Sequence, residues 1–240
     1  MSMAAASRTG TLRLDLHVHT VASPDSKLSV EDALSAVRAR GLDGLAITDH
    51  NSVASVEVAL RLLRDEGSRW TGRNGRPVVL VPGVEVSTRE GHLLAYFVSR
   101  VPERDQSLER TIAEIHRMGG LAVLSHPFRR AHGAGRSLGR PLPPLDGIEG
   151  MNGHNHAQLN VRAQELAREA GLPMTGGSDA HRADEIGRCY TEFAGLVAPG
   201  RDELLTRSPR PGGTDLAYAG GVAVSLRNAA KRARRGLRPV

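Results

Sequence analysis

The chain has 240 residues, enough for one sizeable hydrophobic core, and only 3% of them are aromatic, so aliphatic side chains must fill that core. The single cysteine, Cys189, excludes a disulfide framework and a cysteine-rich zinc site, and it favours a reducing compartment. We find no apolar run of about 18 residues and no signal-peptide core at the start of the chain, so we expect a soluble, cytoplasmic protein without membrane partners.

Short apolar segments alternate with amphipathic helical segments along the chain. The predicted strands are 11–19, 42–51, 76–87, 91–98, 121–127, 146–152 and 172–181, with a shorter one at 187–193, and the predicted helices are 28–41, 52–67, 107–118 and 157–171. This alternation is typical of βα units around a parallel sheet. It continues across the Gly-, Pro- and Arg-rich loop at 128–144, which therefore does not separate two domains. The residues after about 200 look helical at best.

The first predicted strand carries two histidines one residue apart. In "TLRLDLHVH" the apolar residues alternate with polar ones, so Asp15, His17 and His19 share one face. The following helix is predicted to begin after Ser29, whose hydroxyl caps it, and to end at Gly41. Two imidazoles on one side of a strand suit a metal site, although such a pair also occurs on ordinary half-exposed strands.

Polar side chains with metal-binding groups recur where the predicted strands end. These residues are His17, His19, Asp49, His50, Glu85, His126, Asp179 and His181. Taken singly, each has an ordinary structural explanation, such as a cap or a turn. In a barrel of βα units, however, the carboxyl ends of the strands converge on one mouth. Imidazole and carboxylate ligands without thiolate suit Zn, Mn or Fe, and the sequence therefore favours a metal site.

Five motifs occur in an order that resembles a known family. "DLHVHT", "GLDGLAITDHN", "GVEVS", "LSHP" and "GGSDAH" resemble the PHP family, named for polymerase and histidinol phosphatase domains, from about Leu12 to about Phe193. The resemblance implies an α/β fold, a distorted (β/α)7 TIM-like barrel in a single domain. We assign residues 12–200 to this barrel and residues 201–240 to a basic, partly helical C-terminal extension.

The resemblance also implies two or three divalent metal ions, with Mn, Zn or Fe as the candidates. Four residues would hold the first ion: His17, His19, Glu85 and Asp179. Glu85 would bridge to a second ion, which His126 also binds, and His92 is our first choice for its remaining ligand. The third ion would take His50, His181 and Asp25, where some relatives have histidine in place of the aspartate.

Other residues are expected to serve the substrate or to steady the ligands. His154 lies in "MNGHNH", where many relatives have an arginine, so it is a candidate for binding substrate or a metal. Arg129 and Arg130 are the candidates for phosphate contacts, with ordinary surface charge as the alternative. His50 or His154 would assist the leaving group. Asp15 and Asp49 would steady ligand imidazoles, while His116 and His132 look like surface residues.

The function implied by the resemblance is hydrolysis of a small anionic phosphate ester, a nucleotide or another phosphomonoester. A water bridging two ions would lose its proton near neutral pH and attack phosphorus. The alternatives are hydrolysis of a cyclic phosphodiester or an amide at the same site, or a non-catalytic metal-stabilised module. The net charge of +6 and the tail "RNAAKRARRGLRPV" leave nucleic-acid binding open, as a weaker interpretation resting on charge alone.

Overall fold

The computed structural model describes residues 10–139, 141–206 and 209–213. The strands are β1 (Thr11–Val18), β2 (Gly44–Ile47), β3 (Val79–Ser87), β4 (His92–Tyr96), β5 (Leu121–Leu124), β6 (Gly147–Asn152), β7 (Met174–Gly177), β8 (Cys189–Ala194) and β9 (Arg210–Gly213). The α-helices are α1 (Val30–Ala39), α2 (Ala54–Asp65), α3 (Leu108–Arg117), α4 (Ala157–Ala170) and α5 (Arg201–Leu204). Among the described residues, no helix combines the length and hydrophobicity that crossing a bilayer requires.

The ends of the helices follow local sequence signals. The Ser29 hydroxyl accepts the backbone N–H of Asp32 at the start of α1, which confirms the predicted cap. Helix α3 begins in the same way after Ser107, whose hydroxyl accepts the N–H of Arg110. Gly171 ends α4 with φ of +65°, a left-handed conformation that glycine adopts without steric cost.

The strands form one sheet in the order β7-β6-β5-β4-β3-β2-β1-β8-β9. The pairs β1–β2, β2–β3, β5–β6 and β6–β7 are parallel, whereas β4 runs antiparallel to both of its neighbours. Beyond β7, the N–H of Asp179 donates to the carbonyl of His17 at 2.7 Å, and the N–H of His19 donates to that of Ala180 at 2.8 Å. These bonds join β7 to β1, so the sheet is nearly closed.

The α/β barrel class is confirmed, but the strict βα alternation is broken in two places. Strands β3 and β4 form an antiparallel hairpin, and β8 extends the sheet as a strand antiparallel both to β1 and to β9. Residues 210–213 are thus a strand, where at best a helix was expected. The assignment of residues 201–240 to an extension stays a prediction, and residues 214–240 lie outside the described part of the chain.

Aliphatic side chains form the core, as the low aromatic content predicts. One buried cluster joins residues of β1 to β5 and β8, including Leu14, Val81 and Phe193. A second cluster packs α1 and α2 against β1 and β2, and a third packs α3 and α4 against β3 to β6. Burying each large aliphatic side chain contributes about 1.5–3 kcal/mol. This packing holds the carboxyl ends of the parallel strands around a common mouth.

Candidate metal centre

The nine predicted metal ligands all lie at the mouth of the barrel. Most follow the end of a parallel strand, as β1, β2, β5 and β7 each deliver at least one. His92 instead begins the antiparallel strand β4, which places it at the same end. Glu85 lies near the end of β3. The side chains are at most 5% exposed, apart from His50 at 12%.

Four of these residues converge as the first ligand set predicts. The Nε2 atom of His17 is 3.0 Å from that of His19, 3.4 Å from Glu85 Oε1 and 3.6 Å from Asp179 Oδ1. His19 Nε2 is 3.4 Å from Glu85 Oε2 and 3.2 Å from Asp179 Oδ1. Ligands about 2.05 Å from a tetrahedral ion stand about 3.3 Å apart. The spacing of these four residues therefore fits one divalent ion.

The remaining predicted ligands surround the first set. Glu85 Oε1 lies 3.0 Å from His126 Nε2 and 3.2 Å from His92 Nδ1. This carboxylate therefore faces the residues predicted for the second ion as well as those predicted for the first. Its other oxygen is 3.0 Å from His50 Nδ1. Asp25 Oδ2 lies 3.3 Å from His181 Nε2 and 3.6 Å from His50 Nε2. These distances bring together the residues predicted for a second and a third ion.

Several buried nitrogen and oxygen atoms at the mouth that could bind a metal form no hydrogen bond. Among the described residues, these atoms include both ring nitrogens of His92, His50 Nδ1, His126 Nδ1, His181 Nε2 and Glu85 Oε2. Buried polar atoms nearly always have a hydrogen-bond partner, so each exception calls for an explanation. Nitrogen and carboxylate oxygen are ligands that Zn, Mn and Fe accept. The residues present thus fit divalent metal ions.

Two of the imidazoles, His19 and His181, are oriented so that Nε2 faces the centre. Ser23 Oγ donates to Asp49 Oδ1 at 2.7 Å and lies 3.0 Å from His19 Nδ1, so it accepts the proton of that ring nitrogen. Asp49 therefore steadies His19 through Ser23. His181 Nδ1 similarly donates to the carbonyl oxygen of Asp179 at 2.8 Å. In both rings Nε2 is left as an acceptor, the form that binds a metal.

Burial and neighbouring charges shift the pKa values of these histidines in opposite directions. Burial lowers the pKa of His19 to about 3 and that of His126 to about 4, which keeps both rings neutral. Burial also acts to lower the pKa of His50, but Asp25 and Glu85 outweigh it and raise the value to about 10. Burial disfavours the charged form of Asp179, yet Arg129 and His17 hold its pKa well below the usual range.

At the mouth, the backbone adopts conformations that residues other than glycine seldom take. Asn51, His126 and Asp179 have φ of +50°, +26° and +57°, and such strain often marks functional sites. Gly177 permits the close approach of β7 to β1, because a Cβ atom there would lie 2.6 Å from the backbone nitrogen of His17. Gly177 of "GGSDAH" thus helps to bring Asp179 to His17.

One predicted supporting role is wrong. Asp15 contacts no imidazole in the described structure. Its carboxylate accepts the backbone N–H groups of His17, Ser178 and Gly187, at 3.3, 2.8 and 2.8 Å. The residue that contacts the His17 ring is Glu149, whose Oε1 lies 2.8 Å from Nδ1. Glu149 was not among the predicted residues, because it lies inside "DGIEGMN" rather than at a strand end.

The residues predicted to contact substrate lie at the edge of the centre. Arg129 donates to Asp179 Oδ2 and to Asn152 Oδ1, both at 2.6 Å, and its side chain is 24% exposed. His154 is 3.9 Å from Asp179 Oδ2 and 3.6 Å from Glu185 Oε2, and burial lowers its pKa. Arg130, the next residue after Arg129, is exposed.

Two more residues were missed or misjudged. Glu185 accepts the N–H of His181 at 2.9 Å and faces His154, so it borders the centre. His132 was expected at the surface, yet it is half-buried and its ring stacks on that of His92, with centroids 4.6 Å apart. By contrast, His116 is exposed, as expected, and lies 2.8 Å from Asp146, away from the mouth. Neither Glu185 nor His132 carries a motif that would single it out.

Comparison with known proteins places the chain in a family. The model of the PHP domain matches residues 15–133, and a PHP-associated model matches residues 157–207. The chain is 29% identical over 177 residues to an uncharacterized protein of Methanocaldococcus jannaschii, covering 66% of this chain and 96% of that protein. It is 35% identical over 115 residues to the 5'-3' exoribonuclease Rnm of Salmonella typhimurium, but covers only 36% of that protein and 42% of its own length.

Solved structures share the fold at lower identity. A two-domain protein of Bacteroides vulgatus containing a predicted PHP-like metal-dependent phosphoesterase matches with a TM-score of 0.67 and 20% identity, over 86% of this chain and 66% of that one. The lesion-specific endonuclease EndoQ of Pyrococcus furiosus matches with a TM-score of 0.64 and 16% identity, over 90% of this chain and 66% of that one. From the two family models, which match residues 15–133 and 157–207, we conclude that this chain belongs to the PHP-domain family.

Proposed function

We propose that the chain is a phosphoesterase that hydrolyses a small phosphate ester, such as a nucleotide or another phosphomonoester. The observation that carries the proposal is Arg129, whose guanidinium borders the metal centre 2.6 Å from Asp179 Oδ2. A guanidinium matches the geometry of phosphoryl oxygens and binds them in pairs. Arg129 is also partly exposed, so an incoming anion can reach it.

Burial of the centre supports a small or terminal phosphate group. The ligand side chains are almost fully buried, and the side chain of His50 is 12% exposed. A group that reaches them must be slender, as a terminal phosphate is. An internal phosphodiester within a duplex is flanked by bulky sugars and bases on both sides. We therefore favour a phosphomonoester over an internal phosphodiester.

Each group at the edge of the centre has a distinct task in the proposed reaction. Divalent ions bound by the predicted ligands, with Mn, Zn and Fe as candidates, supply a nucleophile near neutral pH, because they lower the pKa of water to about 7. Arg129 neutralises phosphoryl oxygens as negative charge develops on them. His154, which faces Glu185, and His50 are the candidates to give a proton to the leaving oxygen. The single cysteine agrees with a cytoplasmic location for this enzyme.

The 35% sequence identity over 115 residues to an exoribonuclease favours a second candidate substrate, the phosphorylated end of an RNA strand. Such an end presents the same terminal phosphate to the centre, followed by further nucleotides. In this case the exposed Arg130 and the basic tail would contact the strand, and affinity would fall steeply with salt. A small substrate requires no such extended contact.

A substrate panel tests the proposal. The full chain, stripped with a chelator and reloaded with Mn²⁺, is assayed against nucleoside monophosphates, other phosphomonoesters, cyclic nucleotides, an amide panel and 5'-phosphorylated RNA and DNA oligonucleotides. We expect Mn²⁺-dependent phosphate release that is fastest on a small monoester. Preference for the oligonucleotides supports the second candidate, and turnover confined to amides or cyclic diesters contradicts both. Metal binding without any turnover points to a non-catalytic module.

Substitution of Arg129 tests the observation behind the proposal. Arg129→Ala should raise KM for the best substrate about 10- to 100-fold, the loss expected for one charge-assisted hydrogen bond. Arg110→Ala is the matched control, because Arg110 is an exposed arginine on α3 that pairs with Glu103. Equal kinetics of the Arg129→Ala variant and the control would refute a phosphate contact by Arg129.

A further inference from the structure

Glu149, in the middle of β6, is a buried carboxylate that contacts the ligands of two different metal sets. Its Oε1 accepts the Nδ1 proton of His17 at 2.8 Å. Its Oε2 accepts the backbone N–H of His126 at the same distance. The residue is 1% exposed, so no water competes for these bonds. Glu149 thereby connects β6 to the ends of β1 and β5.

The bond to His17 decides which nitrogen of that ring is available. Because Nδ1 donates to Glu149, the neutral ring carries its lone pair on Nε2, which faces Glu85 and Asp179. A carboxylate on the far side of an imidazole also raises the basicity of the ligating nitrogen. Glu149 therefore fixes both the orientation and the tautomer of His17.

The bond to His126 supports a strained backbone. His126 has φ of +26°, a value that residues with side chains rarely adopt. The hydrogen bond from its N–H to Glu149 holds this conformation, in which Nε2 of His126 lies 3.0 Å from Glu85. The same carboxylate thus keeps a ligand of the second set in place.

Asn152 extends the connection to the substrate side. Its Nδ2 donates to Glu149 Oε2 at 3.0 Å. Its Oδ1 accepts from Arg129 Nη2 at 2.6 Å and from the backbone N–H of His154 at 2.9 Å. Asn152 is fully buried, and its own backbone N–H bonds to Asn160 on α4. The two residues form a continuous link from the metal ligands to the groups that face substrate.

We propose that Glu149 and Asn152 are positioning residues: Glu149 sets the metal affinity of the centre by holding His17 and His126, and Asn152 aligns Arg129 and His154 with that centre. The inference rests on the proposed function and names two residues that no motif marked. Every contact of the Glu149 carboxylate comes from a donor group. Replacing it by an amide leaves at least one of these donors facing another donor.

Glu149→Gln is the first test, with Mn²⁺ dissociation constants measured by electron paramagnetic resonance of free Mn²⁺. We expect Mn²⁺ affinity to fall about 10- to 100-fold, the usual effect of removing such a partner of a ligand. Saturating Mn²⁺ should then restore most of kcat. Glu114→Gln is the matched control, because Glu114 is another buried glutamate. It lies on α3 and pairs with Arg100 in the loop that precedes this helix. Unchanged Mn²⁺ affinity in folded Glu149→Gln would overturn the inference.

Asn152→Ala is the second test and has a different expected signature. We expect KM for the substrate to rise several-fold, while Mn²⁺ affinity changes less than in Glu149→Gln. If Glu149→Gln does not fold, Glu149→Asp replaces it: the shorter carboxylate should give a smaller loss of affinity, and wild-type affinity in that variant contradicts the role. A wild-type chain that binds none of Mn²⁺, Zn²⁺ and Fe²⁺ refutes the metal centre and this inference together. A wild-type chain that binds Mn²⁺, beside variants of equal affinity and KM, refutes this inference alone.

Discussion

The buried polar and charged residues at the two ends of the barrel differ in how completely they are hydrogen-bonded. At the end away from the mouth, Asp43 precedes β2, and its carboxylate accepts the N–H of Arg13, the Nε proton of Arg73 and the N–H of Asn74, at 2.9, 2.8 and 3.3 Å. At the mouth, both ring nitrogens of His92 lack hydrogen bonds, as does one oxygen of Glu85. Burial alone therefore does not distinguish a structural carboxylate from a functional one.

The difference lies in whether the fold itself completes the hydrogen bonding. Asp43 is satisfied by backbone and arginine donors that reach it from two segments, so its charge stabilises the closed end of the barrel. The residues at the mouth face one another across distances of 3.0–3.6 Å and leave acceptor atoms unused. Such an arrangement is stable when a cation occupies the space between the acceptors.

The largest expected effect is a contrast between two Asp→Asn variants. Asp179→Asn weakens a predicted ligand and removes the charge partner of Arg129, so kcat should fall about 10³-fold, equivalent to about 4 kcal/mol. Asp43→Asn should keep kcat and lower the free energy of unfolding by about 1–3 kcal/mol, because it disturbs a satisfied buried group. Steady-state kinetics and urea unfolding measure the two quantities. The reverse pattern would contradict the distinction between the two ends.

Removal of metal should have the next largest effect, a loss of thermal stability. Only substitutions at the mouth of the barrel should change the size of this loss. A single ion at 100 times its Kd adds about 2.7 kcal/mol to stability. For a chain of this size that corresponds to a rise of roughly 5–10 °C in Tm. Calorimetry with and without Mn²⁺ should show this shift in the wild type and in Asp43→Asn, but a smaller one in Asp179→Asn. Equal shifts in all three proteins would place the bound metal elsewhere.

A third expected effect is the pH dependence of the metal-free protein. Burial lowers the pKa of His19 to about 3 and of His126 to about 4, so below pH 6.5 the unfolded chain binds protons that the folded chain does not. Stability should therefore fall as the pH drops from 6.5 towards 3. For His50 burial is outweighed by Asp25 and Glu85, and the pKa of about 10 means that stability also falls as the pH rises from 6.5 to 10.

Urea unfolding across this pH range measures the effect, with a slope of about 1.4 kcal/mol per pH unit for each ring that titrates on that side of the maximum. His50→Gln is the informative variant, because it should remove part of the loss on the alkaline side and leave the contribution of His126 on the acidic side in place. A metal-free protein whose stability stays flat from pH 4 to 9 would show that these buried rings do not titrate as the structure implies.

The mouth could be predicted from the sequence because strand ends mark it. His17, His19, His126, Asp179 and His181 lie where apolar segments stop, and parallel strands carry their ends to the same place. His92 does not follow this rule, since it begins an antiparallel strand. It was found through the resemblance to a family. The hairpin from β3 to β4 explains why a residue at the start of a strand reaches the same centre.

What the sequence did not reveal depends on contacts between distant segments. Glu149 lies inside a strand, and its importance follows from the His17 ring across the barrel, 132 residues away. Strand β9 consists of "RPGG", which has no strand pattern and pairs because β8 offers an unpaired edge. The strand face on which Asp15 lies was predicted correctly. Its role was misjudged because its partners, Ser178 and Gly187, belong to a loop that is distant in sequence.

The metal content of the full chain tests the central claim most directly. Protein purified without chelator and dialysed against metal-free buffer is analysed by inductively coupled plasma mass spectrometry, together with Asp179→Asn and Asp43→Asn. The account predicts two or three divalent ions per chain in the wild type and in Asp43→Asn, and fewer in Asp179→Asn. One ion or none in the wild type, even after incubation with Mn²⁺, Zn²⁺ or Fe²⁺, would contradict a multinuclear metal centre at the mouth of the barrel.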